Sequence, residues 1–418
     1  MRFARDDDYP EAANALLEDA AGKALAVCDK PAIALSGGLD SPLAASALTR
    51  AMPKGERLNA ITFVPHSDWT EDTPPGTFGS DEDYARAFAE FNGHIDLHIA
   101  DPEQGGFDFR AREMFQAMDL YAPGLANVGM FHGVWDKARE LGSDLLLTAD
   151  FGNRTISESG RWAYVEYAGK GKWGELVQLL RNRPNDPRSL PRKIAALSIL
   201  PQLPTPLRKG MRGLVHPERK DMTQLFTLLN ESARTRQKER GTSQAWDDLT
   251  FARHRAEASR QYALQANGLA ADVHLAFEQL YGLRRRDVTA YRPLIEFCLG
   301  LPTEQFASHG IERRLARRMA NGKLPETQRL ETRHGQHNVD FHARMTPRRS
   351  ELLAYVEAMR GHPWLAQNAD LDRMAEMIER WPDKPDWSWE TGYPRMLALP
   401  RMALAAQFIG FVEGRNDL

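Results

Sequence analysis

The chain contains 418 residues, with 54 Lys and Arg against 57 Asp and Glu, so that its formal net charge is −3. A chain of this length is expected to form about two domains with well-buried cores. The near-neutral charge argues against nucleic-acid binding through a general basic excess, and no signal peptide or run of about 20 apolar residues predicts secretion or a membrane span, so we expect a cytoplasmic protein with neither nucleic-acid nor membrane partners.

A strand, a glycine-rich loop and a helix follow a first amphipathic helix, which the apolar spacing predicts at 11–26. Residues 31–35 form an apolar run that predicts a buried strand, and residues 43–48 have helical apolar spacing. Between them lies the segment SGGLDS at 36–41. This order is the first half of a parallel βαβ unit.

Three further strands are predicted in the first part of the chain, at 58–64, 95–99 and 145–148, with helices at 81–91 and 134–141. The strand at 95–99 alternates apolar and polar residues, which is typical of an edge. We therefore expect residues 1–175 to form an α/β domain with an open parallel sheet that binds its ligand at the carboxyl ends of the strands.

The remaining residues, 176–418, are predicted to be mostly α-helical and to contribute residues to the substrate and adenylate sites. Apolar residues recur at helical spacing in seven spans. These spans are 222–236, 249–283, 291–301, 309–320, 350–360, 370–380 and 395–413. The arginines at 284–286 and at 313–318 have two interpretations: solvated helix faces, or a cationic wall for ATP or an acidic peptide.

The chemistry of the chain is concentrated in residues 36–41. Gly37 and Gly38 allow backbone N–H groups to turn towards an anion, Ser36 and Ser41 add hydroxyl donors, and the following helix directs its positive end at the same place. The negative charge of Asp40 would repel a phosphate, so a divalent cation is expected between them. Mg²⁺ favours such oxygen ligands. The loop lacks the GxxxxGK[ST] pattern of kinases and GTPases.

A loop of the form SGGxDS resembles that of the N-type ATP pyrophosphatases, which split ATP between its α- and β-phosphates. Later segments resemble the asparagine synthetase family in particular, and they occur in the family's order. They are residues 145–154, 282–289 with 293–302, and 324–325 with 333–336. The resemblance implies an adenine nucleotide α-hydrolase-like fold and a requirement for ATP and Mg²⁺.

The same resemblance implies where each ligand binds. The adenine would lie near Leu35 and Phe63–Val64, and Thr148 and Gly152 would complete the nucleotide site. The β- and γ-phosphates would lie on Ser36, Gly37, Gly38 and Ser41, and Mg²⁺ would be held by Asp40 with Asp150 or Asn153.

Some residues depart from the family pattern. Asp150 falls on an acidic position and is expected to be the base that deprotonates the attacking amine, a metal ligand only, or an acid that structures its loop. Asn153 replaces a metal-binding Asp, Arg154 replaces a Glu, and Arg333 replaces a lysine near the adenylate. Arg333 keeps the positive charge for stabilising pyrophosphate but is unable to shuttle a proton.

The segment 152–157 (GNRTIS), together with 333–336 (RHGQ) and Asp340, resembles the divergent family members that close lasso peptides. The resemblance implies that a side-chain carboxylate of a precursor core peptide is adenylated, and that the N-terminal amine of the peptide then displaces AMP to form a macrolactam. It further implies a leader peptidase and a leader-recognition protein as partners.

Other functions remain open. A glutaminase domain precedes the loop in glutamine-dependent family members, whereas here the loop begins at residue 36, so an amine or free ammonia is the expected nucleophile unless a separate subunit supplies it. The alternatives are a stand-alone asparagine synthetase or β-lactam-synthetase-like enzyme, and a pseudoenzyme that only holds a peptide. A tRNA-modifying ligase shares the loop but would need a stronger basic excess.

Overall fold

The structure, a computed structural model, describes residues 2–101, 103, 106–204, 206–208, 210–211, 225–239, 254–255, 257 and 269–414. The strands are β1 Pro31–Ala34, β2 Leu58–Thr62, β3 Thr77–Phe78, β4 Ile95–Ile99, β5 Leu145–Thr148, β6 Arg284–Asp287, β7 Ala307–Ser308, β8 Ile311–Glu312 and β9 His334–Gly335. The α-helices are α1 Asp8–Leu25, α2 Asp40–Ala51, α3 Glu82–Asn92, α4 Ala111–Met118, α5 Gly129–Glu140, α6 Ala163–Gly169, α7 Trp173–Arg181, α8 Leu190–Ile194, α9 Glu231–Glu239, α10 Leu269–Tyr281, α11 Arg292–Gly300, α12 Arg314–Met319, α13 Glu326–Arg329, α14 Phe341–Met345, α15 Arg349–Arg360, α16 Pro363–Asn368, α17 Leu371–Glu379 and α18 Gly392–Val412.

The main sheet has five parallel strands in the order β4-β2-β1-β5-β6. The predicted α/β fold is confirmed, as is the edge position of β4. The chain moves outward from β1 to β2 and β4 on one side, and then crosses to β5 on the other side. A ligand crevice is expected where the direction of winding changes, which places it above the carboxyl ends of β1 and β5.

Strand β6 was not predicted, because its three arginines have neither the alternation nor the apolar content of a strand. It pairs with β5 so that Thr148 lies opposite Asp287. An edge strand that is partly solvated tolerates charged side chains, and only the pairing defines it. The interpretation of residues 284–286 as a helix face is therefore wrong. The division of the chain at residue 175 stays a prediction, although the second part supplies a strand of the sheet.

Both faces of the sheet are covered by helices from the two parts of the chain. Ala32 belongs to a core with Trp135 and Leu399, whereas its neighbour Ile33 belongs to a second core with Leu315. Consecutive strand residues face opposite sides, so this separation follows from the period of two. Through these two cores, helices of the second part of the chain pack against strand β1.

The predicted helices at 291–301, 350–360, 370–380 and 395–413 are confirmed within a few residues. The span predicted at 309–320 differs, because the antiparallel β7 and β8 precede helix α12. Within this hairpin His309 and Gly310 have φ angles of 53° and 75°. These angles are incompatible with a right-handed helix, so helix α12 begins only at Arg314. The predicted spans 222–236 and 249–283 lie partly outside the described residues.

Helix α18 is long and apolar enough to cross a membrane by length and composition alone. Its most apolar window is 56% buried inside the protein, and core helices pass the same test. Leu399 and Leu404 belong to one of the two cores. The helix is therefore weak evidence for a membrane span.

Candidate active site

The glycine-rich loop between β1 and α2 is held by its own serines. The Ser36 N–H donates to Oγ of Ser41 at 2.8 Å, and the two hydroxyl oxygens are 2.9 Å apart. The Gly38 N–H lies 3.4 Å from Oγ of Ser36. The Leu35 N–H donates to the Ile61 carbonyl at 2.8 Å, which fixes the start of the loop to β2. Both serines therefore shape the loop as well as offering hydroxyls to a ligand.

Gly37 lies where no side chain fits. A Cβ at this position would be 2.7 Å from Oδ1 of Asp81 and 2.9 Å from Cδ2 of Tyr84. The Gly37 N–H donates to the same Asp81 oxygen at 2.9 Å, and burial raises the pKa of that carboxyl. Sequence reasoning missed Asp81 and Tyr84, because an acid and a tyrosine at the start of α3 do not indicate a contact with residue 37.

Asp40 is the central charged group of the crevice. Burial raises its pKa to about 6, and the charges of Asp287 and Asp150 act in the same direction, whereas Ser157 and Arg313 oppose the rise. Oδ1 of Asp40 is buried and has no hydrogen-bond partner in the described part of the chain. Native proteins seldom leave such an atom unsatisfied without a ligand or water.

The loop after β5 approaches Asp40 through Gly152. A Cβ at residue 152 would be 2.1 Å from Oδ1 of Asp40. Two further buried atoms at this edge, Oγ1 of Thr148 and Oε1 of Gln328, lack partners among the described residues. The unpaired oxygens of Asp40 and Thr148 fit a divalent cation with a polyphosphate, because Mg²⁺ is usually held by one or two carboxylates and phosphate oxygens.

No group of three or more His, Cys, Asp or Glu side chains is placed to hold a metal ion within the described ranges. A cation at Asp40 would therefore take most of its ligands from ATP and water. Asn153 is exposed, and Gly152 is the residue that lies against Asp40. That Asn153 binds Mg²⁺ stays a prediction.

Asp150 is paired with Arg285 of β6. Oδ2 of Asp150 accepts a hydrogen bond from Nη2 of Arg285 at 2.5 Å, and the Asp150 side chain is 63% exposed. Asp287, two residues after Arg285, accepts the N–H of Phe151 at 2.8 Å. Strand β6 thus holds both the side chain of Asp150 and the backbone N–H of the next residue, and the contribution of Asp287 was not predicted.

The residues predicted around adenine lie at the expected edge of the sheet. Leu35 is buried at the end of β1, and Val64 is half-buried two residues after β2. Phe63 packs edge to face on Phe131, with ring centroids 5.9 Å apart. The adenine-binding role of Leu35 and Val64 stays a prediction.

Residues 324–340, called the late segment here, pack on the glycine-rich loop. Nε2 of Gln328 donates to the carbonyl oxygens of Gly37 and Gly38 at 3.2 and 3.1 Å. Strand β9 pairs with β3, which lies in the loop after β2. Oδ2 of Asp340 accepts the N–H of His66 at 2.9 Å, so a second contact joins the segment to that loop.

Arg333 reaches the loop through Tyr84. Nη2 of Arg333 lies 2.6 Å from Oε2 of Glu331 and donates to the Tyr84 hydroxyl at 2.8 Å. Tyr84 also donates to Glu331. The hydrogen bond from Arg333 and the other contacts lower the pKa of Glu331 to about 2. The structure therefore brings Arg333 to the loop, but Glu331 offsets its charge.

Comparison with known families matches residues 12–392 to the model for asparagine synthase. The matched range contains the glycine-rich loop, the loop after β5, strand β6 and the late segment. Comparison with curated proteins found no match.

Proposed function

Because the chain belongs to the asparagine synthase family, we propose that it is an ATP-dependent cyclase that joins a side-chain carboxylate of a precursor peptide to the peptide's N-terminal amine. Family membership by itself implies that the protein is an ATP-dependent ligase that forms C–N bonds. The macrolactam product, the core peptide, and a leader peptidase and leader-recognition protein as partners are the proposed part.

The observation that carries the proposal is the buried Oδ1 of Asp40, which has no hydrogen-bond partner among the described residues and lies at the end of the glycine-rich loop. In the proposed first step, a carboxylate oxygen of the peptide attacks the α-phosphorus of ATP, and pyrophosphate leaves with the electrons of the broken P–O bond. The glycine-rich loop binds and orients the polyphosphate. Bound at Asp40, Mg²⁺ would offset negative charge on the phosphate oxygens.

In the second step, the peptide amine attacks the carbonyl carbon of the acyl-adenylate, AMP leaves, and the amine loses a proton. Asp150 is the proposed acceptor of that proton, and it must exchange its partner Arg285 for the amine to do so. Because the amine and the activated carboxyl belong to one peptide, ring closure is intramolecular, and holding the two groups next to each other raises its rate through positioning.

The residues that favour a peptide cyclase over other family members lie around the same crevice. Gly152 contacts Asp40, Arg333 contacts the Tyr84 side chain beside Gly37, and Asp340 anchors the late segment to the loop after β2. These residues belong to the segments that resemble lasso cyclases, and their contacts around Asp40 and the glycine-rich loop support the proposed placement of ATP and the carboxylate there.

The test uses the purified chain with ATP, Mg²⁺ and synthetic core peptides taken from the genes beside its own. We expect pyrophosphate release together with a peptide product that has lost one water by mass spectrometry. A peptide with its acceptor Asp or Glu changed to the amide should release no pyrophosphate. An N-acetylated peptide should form the adenylate without closing a ring.

Three outcomes separate the alternatives. Turnover of a small acid with ammonia or an amine, without any peptide, would favour a stand-alone asparagine-synthetase or β-lactam-synthetase type of enzyme. Peptide binding without pyrophosphate release, together with an Asp40→Asn variant that behaves like the wild type, would favour a peptide-holding pseudoenzyme. Ring formation that is lost in Asp40→Asn supports the proposal.

A further inference from the structure

Asp81 is the N-cap residue of α3, but its side chain makes no capping hydrogen bond to that helix. An aspartate at this position usually accepts an N–H from the first turn of the helix that it precedes. Here Oδ1 of Asp81 accepts the N–H of Gly37 at 2.9 Å, across 44 positions of the chain. The carboxylate therefore stabilises the glycine-rich loop instead of the start of its own helix.

Gln328 of α13 binds the same loop. The residue is 1% exposed, and its Nε2 donates to the carbonyl oxygens of Gly37 and Gly38 at 3.2 and 3.1 Å. Its Oε1 is also buried and has no hydrogen-bond partner within the described ranges. Burial of an amide with an unsatisfied oxygen costs free energy. The two bonds to the loop are therefore the contacts that account for a glutamine at this position.

Both polar backbone groups of Gly37 are thus held by side chains from other parts of the chain. Asp81 binds its N–H from the start of α3, and Gln328 binds its carbonyl oxygen from the late segment. A glycine without such contacts has access to more backbone conformations than any other residue. The two bonds together restrict the Gly37 backbone to one orientation.

This orientation decides which donors of the loop are left for a ligand. With its N–H directed at Asp81, Gly37 has no backbone hydrogen to offer to a phosphate. The N–H groups of Ser36 and Gly38 lie 2.8 and 3.4 Å from the hydroxyl oxygens of Ser41 and Ser36. A serine hydroxyl can donate its own hydrogen to a phosphate, so these contacts within the loop are compatible with ligand binding.

We propose that Asp81 and Gln328 are positioning residues, which hold the Gly37 backbone in one orientation so that the rest of the loop is preformed for the pyrophosphate part of ATP. The inference rests on the ATP-binding step of the proposed function. A loop that lacks either bond spends part of its time in other orientations, and the apparent affinity for a ligand falls with the fraction of the chain that is competent to bind it.

The competing interpretation is that Asp81 blocks the loop, as an internal anion on a donor that phosphate needs. Two observations favour positioning. Gln328 holds the same glycine through its carbonyl oxygen, where no anion would bind. Tyr84, three residues after Asp81, packs beside the loop and is bonded to Glu331 and Arg333. The start of α3 is therefore held against the loop by contacts other than the carboxylate.

The test measures binding of inorganic pyrophosphate and of AMP to the whole chain by calorimetry, with Mg²⁺ present. In Asp81→Ala and in Gln328→Met we expect the affinity for pyrophosphate to fall about tenfold, because a hydrogen bond that orders the loop is lost. Affinity for AMP, which lacks the β- and γ-phosphates, should stay the same. Since both ligands bind only the folded chain, the ratio of the two affinities does not depend on how much of each variant is folded.

Asp81→Asn is the conservative variant, because its side-chain oxygen can still accept the Gly37 N–H. It should regain most of the pyrophosphate affinity that Asp81→Ala loses. Burial raises the pKa of the Asp81 carboxyl, so the uncharged variant should melt at or above the wild-type temperature.

Asp144→Ala is the matched control for the loss of a carboxylate that binds backbone. Asp144 accepts the N–H groups of Asp29 and Lys30, both at 2.9 Å. These residues precede β1 and therefore lie at the opposite end of the strand from the glycine-rich loop. The variant should melt at a lower temperature than the wild type but bind pyrophosphate with the same affinity.

A rise in pyrophosphate affinity in Asp81→Ala would overturn the inference in favour of a blocking carboxylate. Unchanged affinity in Asp81→Ala and Gln328→Met, or an equal loss for pyrophosphate and AMP, would overturn it as well, since either result leaves both side chains a purely structural role. A wild-type chain that binds neither pyrophosphate nor ATP would overturn the inference together with the ATP-binding step of the proposed function. If the expected affinities are found but no peptide is closed, the inference stands and only the cyclase assignment fails.

Discussion

Gly152 lies so close to Asp40 that a Cβ at residue 152 would be 2.1 Å from Oδ1 and 2.7 Å from Cβ of Asp40. The contact joins the two loops that follow β1 and β5. It leaves no space for a side chain at residue 152 beside the buried carboxylate of Asp40. The close approach of these two loops therefore requires a glycine at residue 152.

Gly152→Ala is expected to abolish pyrophosphate release. The added methyl group must displace the Asp40 side chain and its backbone, and overpacking of this kind costs about 1–3 kcal/mol of stability. Thermal melts and pyrophosphate assays would measure both effects. Gly174→Ala is the control, because nothing lies within 4 Å of a Cβ there and the residue is helical. That variant should be unchanged or more stable. Full activity in Gly152→Ala would show that the crevice is not used as we describe.

Asp40→Asn is expected to increase stability while it removes activity. Burial raises the pKa of Asp40 from 3.8 to about 6, so the folded state binds this proton more tightly than the unfolded state does. The stability contributed by the neutral form is present at acidic pH and is lost as pH rises from about 4 to 6. At about 1.4 kcal/mol per unit of pKa, the ionised group destabilises the fold by about 3 kcal/mol at neutral pH.

Denaturant unfolding between pH 4 and pH 8 would measure this difference. The stability advantage of Asp40→Asn over the wild type should grow across that window and then level off above pH 6. A constant difference at all pH values would contradict the pKa of Asp40. Saturating Mg²⁺ and ATP should reduce the advantage, because ligands that bind only the folded wild type stabilise it by mass action.

Asp150→Asn is expected to separate the two chemical steps. Its ion pair with Arg285 is largely exposed on the Asp150 side, so the variant should lose no more than about 1 kcal/mol of stability. If Asp150 accepts the proton of the attacking amine, single-turnover experiments should show a normal pyrophosphate burst followed by slow ring closure. Loss of the burst itself would instead indicate a role in binding the metal.

Tyr84→Phe is expected to slow adenylation without unfolding the loop. The phenyl ring still packs beside Gly37, but the hydroxyl that contacts Arg333 and Glu331 is removed. Loss of a hydrogen bond to a charged group corresponds to roughly a tenfold effect on rate. The double variant with Arg333→Gln tests the coupling, since two residues that act as one unit should have a combined effect smaller than the product of the two single effects. Independent, multiplicative effects would contradict the link.

The sequence by itself determined the first βαβ unit, the edge strand at 95–99 and the glycine-rich loop with Asp40, because apolar periodicity and loop chemistry are local properties. It also located the late segment that contains Arg333. It did not reveal β6, where Arg284 to Asp287 have no strand pattern and are ordered by pairing with β5.

Only the tertiary structure decided which groups meet at the crevice. The contacts of Asp81 and Tyr84 with Gly37 and of Gly152 with Asp40 join residues that are 44 to 112 positions apart in the chain. Parallel strands carry their carboxyl ends to one edge, and this geometry brings such residues together whatever their spacing in sequence. Whether an arginine is neutralised, as Glu331 neutralises Arg333, depends on the partners that packing supplies and not on the residue type.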